Sequence, residues 1–282
     1  MKALPITNRR TRAESAFTLL ELLVVIAVVV TGAALLVPAL AKTRTTSPAF
    51  QCMDNARQIA LGWTMYASDN NGVLAPNSDG ALAGKDPLHP SWVSGMLDFT
   101  TTADNTNTAM LVNHSLYPYG AYLGSYVGKN PAVFKCPGDR SAWAKDLTKP
   151  RVRSISMNCF VGNPTRSFTG SSKYPVNLKL MQVTAPALMF VTLDEHADSI
   201  SDGWFATAPD ELYQLVDYPA AYHANGCGLS FADGHSEIHK WRDARTTPVV
   251  QQGQYLLLDV SLPSDQDVLW LAQHAIGAAS YP

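Results

Sequence analysis

Charge is scarce in this chain. Asp, Glu, Lys and Arg supply 16% of its residues, against about 25% in an average soluble protein. The formal balance is −2, and no basic patch occurs after the first dozen residues. Nor is there an aromatic stacking motif, so nucleic acid is excluded as a partner class. Catalytic signatures are missing as well. There is no Ser-His-Asp signature, no HExxH and no phosphate-binding loop, and the chain is not expected to be an enzyme. Cysteine is limited to four residues. In a translocated domain four cysteines point to two disulfides with three possible connectivities. Cys52–Cys136 and Cys159–Cys227 are the favoured pairs, and free buried thiols are the alternative.

Against this sparse background stands one long apolar run. From Leu22 to Leu40 there are nineteen residues without a charge. As a helix the run is roughly 28 Å long, close to the ~30 Å hydrocarbon core of a bilayer. Lys2, Arg9, Arg10 and Arg12 precede it, opposed only by Glu14. The positive-inside rule then keeps that end cytoplasmic and sends the rest across. The expected location is the bacterial inner membrane, single-pass, with the head periplasmic and lipid around the helix. Glu21 does not fit a plain anchor, because a carboxylate near the apolar core of a membrane needs a partner. A secretory signal cleaved after Ala39-Leu40-Ala41 is a rival reading, but its apolar region would be shorter and would lack an acid. An unprocessed anchor is a second rival.

The basic leader, the segment Ala16-Phe17-Thr18-Leu19-Leu20-Glu21 and the aliphatic run together resemble the class III signal of type IV prepilins and type II secretion pseudopilins. The resemblance implies cleavage by prepilin peptidase between Ala16 and Phe17 and methylation of the new N-terminus. It also implies a role for Glu21 in docking onto the α-amine of a neighbouring subunit, and a helix kink at Pro38. Ala16 stands where the family usually carries Gly. The organisation expected is a leader over residues 1–16, a transmembrane and assembly helix over 17–42, an amphipathic helix over 43–72 and an extracytoplasmic head over 73–282. The fold class that follows is α+β and pilin-like: a long N-terminal membrane-spanning helix packed on an antiparallel β-sheet head with a loop-rich insertion. The function implied is that of a structural filament subunit whose partners are other subunits. A surface-displayed adhesive or ligand-binding minor pilin is the alternative; exposure of Trp92, Tyr117, Tyr119 and Tyr122 would favour it.

Along the chain, Ser47 and Pro48 read as an N-cap and first helical residue. Phe50, Met53, Ala56, Ala60, Trp63 and Ala67 form a helical stripe that ends at Asp69-Asn70-Asn71-Gly72,. Residues 73–135 are irregular, with a helical turn or two expected from Leu116 to Val127. Strands are expected over Arg153–Val161 and over Ala187–Leu193, the latter apolar enough to be buried on both faces. The segment that follows it holds Asp194, Glu195, Asp198 and Asp202, oxygen ligands suited to a hard cation. A solvated acidic turn is one reading of this segment; major pseudopilins often carry a structural Ca²⁺ in a C-terminal loop, so the resemblance makes Ca²⁺ a candidate here, with no other cofactor expected.

Asp233-Gly234 predicts a two-residue hairpin turn. Pairing Ala232 with His235 places Cys227, Leu229, Phe231 and Ile238 on the core face, and His235, Glu237, His239 and Trp241 on the other, as a polar face or a metal site. His223, nine intervening residues and Asp233-Gly234 resemble a motif of a pseudopilin-like family of planctomycete and verrucomicrobial bacteria, in which a structural role is expected. A metal hydrolase built from Asp194, His223, Asp233 and His235 requires that these four converge. Finally, Ser264 is expected to cap a helix with the stripe Val268, Leu271, Ala272 and Ala275, ended by Gly277.

Overall fold

The computed structural model describes residues 18–45, 47–143, 146–162 and 173–278. The chain divides into two compact units, Met1–Thr46 and Ser47–Pro282. The first holds helix α1 (Leu19–Thr45), which continues through Pro38. Its N-terminus is fixed locally by a reciprocal capping box. The Thr18 hydroxyl accepts from the Glu21 amide at 3.2 Å, and the Glu21 carboxylate accepts from the Thr18 amide at 2.9 Å and from its hydroxyl at 2.8 Å. Those bonds hold the Glu21 carboxyl below its usual range.

The expected membrane-spanning helix is corrected here. Among the described residues no helix is long and apolar enough to cross a membrane. The apolar side chains described in α1 run from Leu19 to Ala34, about 24 Å at ~1.5 Å per residue, and Glu21 interrupts them. The single-pass inner-membrane location falls with that helix.

In the second unit α2 (Pro48–Asp69) starts and stops where its sequence dictates. Ser47 accepts from the Phe50 amide, Pro48 occupies the first turn, and the Asn70 amide closes the last. The helix buries Cys52, Ala56, Ile59, Ala60, Trp63 and Ala67. The short α3 (Ala109–Val112) lies in the irregular stretch, and a β1–β2 pair (Ala142–Trp143 and Asp146–Pro150) follows it. Leu116–Val127 forms isolated turns, since only scattered i to i+3 and i+4 bonds connect its backbone.

The centre is a five-stranded sheet in the order β5-β3-β4-β7-β8. Its strands are β3 (Ile155–Asn158), β4 (Phe190–Asp194), β5 (Trp204–Phe205), β7 (Gly226–Phe231) and β8 (Ser236–Lys240). A separate pair joins β6 (Gln214–Leu215) to β9 (Val260–Ser261). The sheet is mixed, because β3 and β5 run parallel, and this corrects the antiparallel expectation. All five residues of β4 are buried, as an apolar central strand requires,.

The hairpin register differs from the expected one by a residue. Phe231, not Ala232, closes the turn: its amide donates to His235 O, and Gly234 N donates back to Phe231 O. Gly234 takes a φ of 92°, giving the three-residue connection with a left-handed last residue. Leu229 therefore pairs with Glu237, and Gly228 with Ile238. A slip of one exchanges the faces of β8. Gly226, Gly228 and Ser230 look toward α2, while Cys227, Leu229 and Phe231 share their face with His235, Glu237 and His239. Helix α4 (Gln266–Ile276) covers that second face. Its Trp270 stacks on His239 with centroids 3.7 Å apart, and Trp270 and His274 stack at 3.9 Å. Asp265 caps α4, one residue after the expected Ser264, accepting from the Asp267 and Val268 amides. Trp241, expected on the face away from the core, is buried and donates to Ala220 O.

The segment after β4 is not a solvated turn. Residues 194–200 and Asp202 are buried, and Arg151 and Arg153 are buried with them. Burial pushes the Asp217 carboxyl up to about 8; burial and Asp217 push Glu195 up as well. A carboxyl whose folded pKa is raised holds a proton that the unfolded chain has released. Its contribution is stabilising relative to higher pH, and is lost as pH rises from the ordinary carboxylate range through about 8,. Asp217→Asn keeps an acceptor for the Ala206 amide and removes the titration. Urea midpoints at about pH 5 and about pH 8 should therefore differ less in this variant than in the wild type; an unchanged difference would show that Asp217 does not titrate in this window.

Candidate metal centre

Four ligand-type side chains from four separate segments meet between α2 and the sheet. Cys52 lies in the second turn of α2, on its inward stripe. Cys136 follows a 3-10 turn (Pro131–Phe134) that Asn130 caps, and opens the turn Cys136-Pro137-Gly138-Asp139, closed by Asp139 N donating to Cys136 O at 3.0 Å. Asp194 is the last residue of β4. His223 precedes β7, held by its amide donating to Gly226 O at 3.0 Å, with Ala224 and Asn225 left-handed at φ 49° and 61°.

Their ligand atoms all lie within 4.8 Å of one another, and all four residues are buried. Cys52 Sγ donates to Asp194 Oδ2 at 2.7 Å, and Cys136 Sγ is 3.1 Å from His223 Nε2. Around them, Ser154 Oγ donates to Asp194 Oδ1 at 3.1 Å, the Gly228 amide donates to Oδ2 at 3.2 Å, and the Gly138 amide donates to Cys136 Sγ at 3.3 Å. Lys240 Nζ donates to the carbonyls of His223 and Ala224.

Space for the cluster depends on Gly228. A Cβ there would stand 2.4 Å from Cys52 Sγ and 3.3 Å from Asp194 Oδ2. Gly138 is a second such position: its Cβ would meet Tyr222 Cβ at 2.8 Å and His223 Cε1 at 3.3 Å.

The electrostatics disfavour charge on every acidic member. The contact with Cys136, burial and Asp194 raise the Cys52 thiol. Cys136 is lowered by its bond with Cys52, but burial and Asp194 outweigh this and leave it raised. Burial lifts Asp194 to about 6, and burial and Lys240 lower His223. Cys136 and His223 have the contact of a nucleophile and its base, yet a reactive cysteine is a partly exposed, low-pKa thiol. This one is fully buried with a raised pKa. The arrangement is therefore four ligand-type side chains gathered in one buried place.

Other expected site residues lie elsewhere. Ala16 and Phe17 are outside the described residues. All four cysteines are free thiols. Cys52 and Cys136 are neighbours without a bond, Cys159 faces Thr207 at 3.8 Å, and Cys227 lies beside Trp241. The acidic loop does not gather its carboxylates. Glu195 accepts from Ser199 Oγ, Asp198 from the Gln251 and Gln252 amides, and Asp202 from the Gly80 and Trp204 amides. Only Asp194 of that set joins a ligand group among the described residues. Asp233 pairs with His235 at the hairpin turn, Oδ1 to Nδ1 2.5 Å, so the four residues of the hydrolase reading divide into two sites. Trp92 is buried, stacked on Phe134 and bonded to Gly203 O. Tyr122 is half-buried against His114 and Tyr66. Tyr117 is half-buried and accepts from Asn107 Nδ2, and Tyr119 is exposed.

No family model matches the chain, and no curated protein or solved structure does either.

Gly228→Ala should destabilise the second unit by about 1–3 kcal/mol, because its methyl group overlaps Cys52 Sγ,. In a Cys52→Ala background the penalty should shrink. Denaturant unfolding of the four-member cycle reads this coupling; strictly additive effects would mean the two residues do not compete for the same space.

Proposed function

We propose that the chain is a structural, non-enzymatic filament subunit of the type II secretion pseudopilus or type IV pilus kind, matured by prepilin peptidase. The observation that carries this reading is the surface of α1. Apart from Glu21 and Thr31, its described side chains are apolar, and the large ones are exposed: Leu19 is 77% accessible, Leu20 72% and Val28 65%. A helix that is apolar all round belongs in an interior, and each Leu or Val removed from water contributes about 1.5–3 kcal/mol. Equivalent helices of neighbouring subunits, packed side by side, provide such an interior. The sequence Ala16-Phe17-Thr18-Leu19-Leu20-Glu21 supports the same reading, since it combines a processing point with one acid at the helix start.

Glu21 has two roles to separate. It caps α1 through Thr18, and in a filament it would neutralise the α-amine of an adjacent subunit. Gln serves a capping box as well as Glu does, so Glu21→Gln preserves the cap and removes the charge. Leaving the facing amine unpaired in a dry interface costs about 3–5 kcal/mol. Incorporation into sheared filaments should therefore drop by more than roughly tenfold, with helix content unchanged by circular dichroism. Wild-type incorporation of Glu21→Gln would sink the charge-docking role and leave only the cap. Mass spectrometry of the mature protein should find an N-terminus at methylated Phe17; an intact Met1 would overturn the maturation step.

A further inference from the structure

We propose that Cys52, Cys136, Asp194 and His223 form a closed, four-coordinate Zn²⁺ site that fastens α2 to the central sheet. The donor set selects the ion. Two sulfurs and an imidazole are soft to intermediate ligands that suit Zn²⁺, whereas Ca²⁺ and Mg²⁺ take six or more oxygens. Four side-chain ligands leave no open position, which marks a structural site. Ligand atoms of a tetrahedral zinc centre stand roughly 3.3–3.8 Å apart, given bonds of about 2.0–2.3 Å. The four atoms here already lie within 4.8 Å of one another, so small side-chain adjustments complete the shell.

Three further observations point to a ligand. Two thiols, a carboxyl and an imidazole from four separate segments converge in one buried place, a donor set of the kind that structural zinc centres use. Gly228 and Gly138 leave room where a Cβ would intrude on Cys52 and on His223. The surrounding shell is already oriented, with backbone amides directed at Cys136 Sγ and Asp194 Oδ2 and the Ser154 hydroxyl at Oδ1, in the way outer-shell donors fix metal ligands. On binding, zinc replaces the thiol protons, which leave to solvent, and forms bonds to both sulfurs, one carboxylate oxygen and Nε2. The ion would cross-link α2, the turn after Phe134, the end of β4 and the loop before β7. The site is independent of the filament role, which neither requires nor forbids it.

The test is elemental analysis of the full chain purified without chelator. One zinc per chain is expected, lost in Cys52→Ala and His223→Ala and retained in Cys159→Ala. A strong chelator should lower the melting temperature by about 5–10 °C, the shift for a ligand held at roughly a hundred times its Kd on a chain of this size. Should the ligand variants fail to fold, Co²⁺ titration of the metal-depleted wild type decides: thiolate-to-metal charge transfer and intense tetrahedral d–d bands are expected. Absence of both bound zinc and these bands would overturn the proposal. So would stoichiometric content of another metal, a response to Ca²⁺ alone, or a Cys52–Cys136 disulfide in non-reduced peptide maps.

Discussion

The head depends on how closely α2 can approach the central sheet. The strip of β7 that faces the helix reads Gly226, Gly228, Ser230, and at Gly228 the approach is near enough that Cys52 Sγ occupies the place of a side chain. Ser230 contributes a hydroxyl that bonds Thr192 on the neighbouring strand at 2.7 Å, so the polar part of the strip is satisfied within the sheet. Small residues on the strand allow the helix to bring its thiol down to Asp194. The large side chains of the same strand, Leu229 and Phe231, point the other way and pack in the core. One strand thus supplies close approach on one face and bulk on the other, as a period of two permits.

The same economy explains why so few charged residues leave so many inside. Much of the head has no regular ladder, and backbone amides in buried loops need acceptors. The carboxylates provide them. Asp202 accepts from Gly80 and Trp204, Asp217 from Ala206, and Asp198 from Gln251 and Gln252. Arg153 complements them by donating to the carbonyls of Ile155 and Asp202 and to the Ser156 hydroxyl. Side chains that resemble a cation loop in the sequence act here as substitutes for secondary structure, binding distant loops to one another.

Local signals were therefore read well from the sequence, and long-range ones poorly. Ser47-Pro48, the stripe from Ala56 to Ala67 and the stop at Asn70 need only neighbouring residues, and α2 follows them. The buried strand Phe190–Asp194 is equally local, because an apolar run has few alternatives. The hairpin register differs by one residue from the one its turn dipeptide suggests. Asp233-Gly234 is compatible with both a two-residue and a three-residue connection, and only the bonds between Phe231 and His235 decide. A slip of one exchanges the faces of β8 and makes His235, Glu237 and His239 look like a set turned away from the core, although Trp270 of α4 stacks on His239. The candidate centre was legible only in pieces. Cys52 and Cys136 read as disulfide partners, Asp194 as part of an acidic loop, and His223 as half of a motif with Asp233. Nothing in their spacing joins them, since the junction is made by the sheet order and by the missing side chain at Gly228.

At the N-terminus, the local cap made by Glu21 is compatible with the assembly role proposed for it. An acid among aliphatic side chains is costly mainly because it loses water. The Thr18 hydroxyl and amide replace part of that water with fixed hydrogen bonds, so the carboxylate enters an apolar environment already partly solvated by its own helix. Its position in the first turn also sets it against the positive end of the helix dipole. Both effects favour the ionised form, in agreement with its lowered pKa. A carboxylate kept ionised in that way remains able to attract a cationic group from outside, whereas an uncapped one would take up a proton on burial. In the filament proposed above, the cap and the intersubunit contact would not be rival explanations of the same residue: the first would be the condition under which the second could operate.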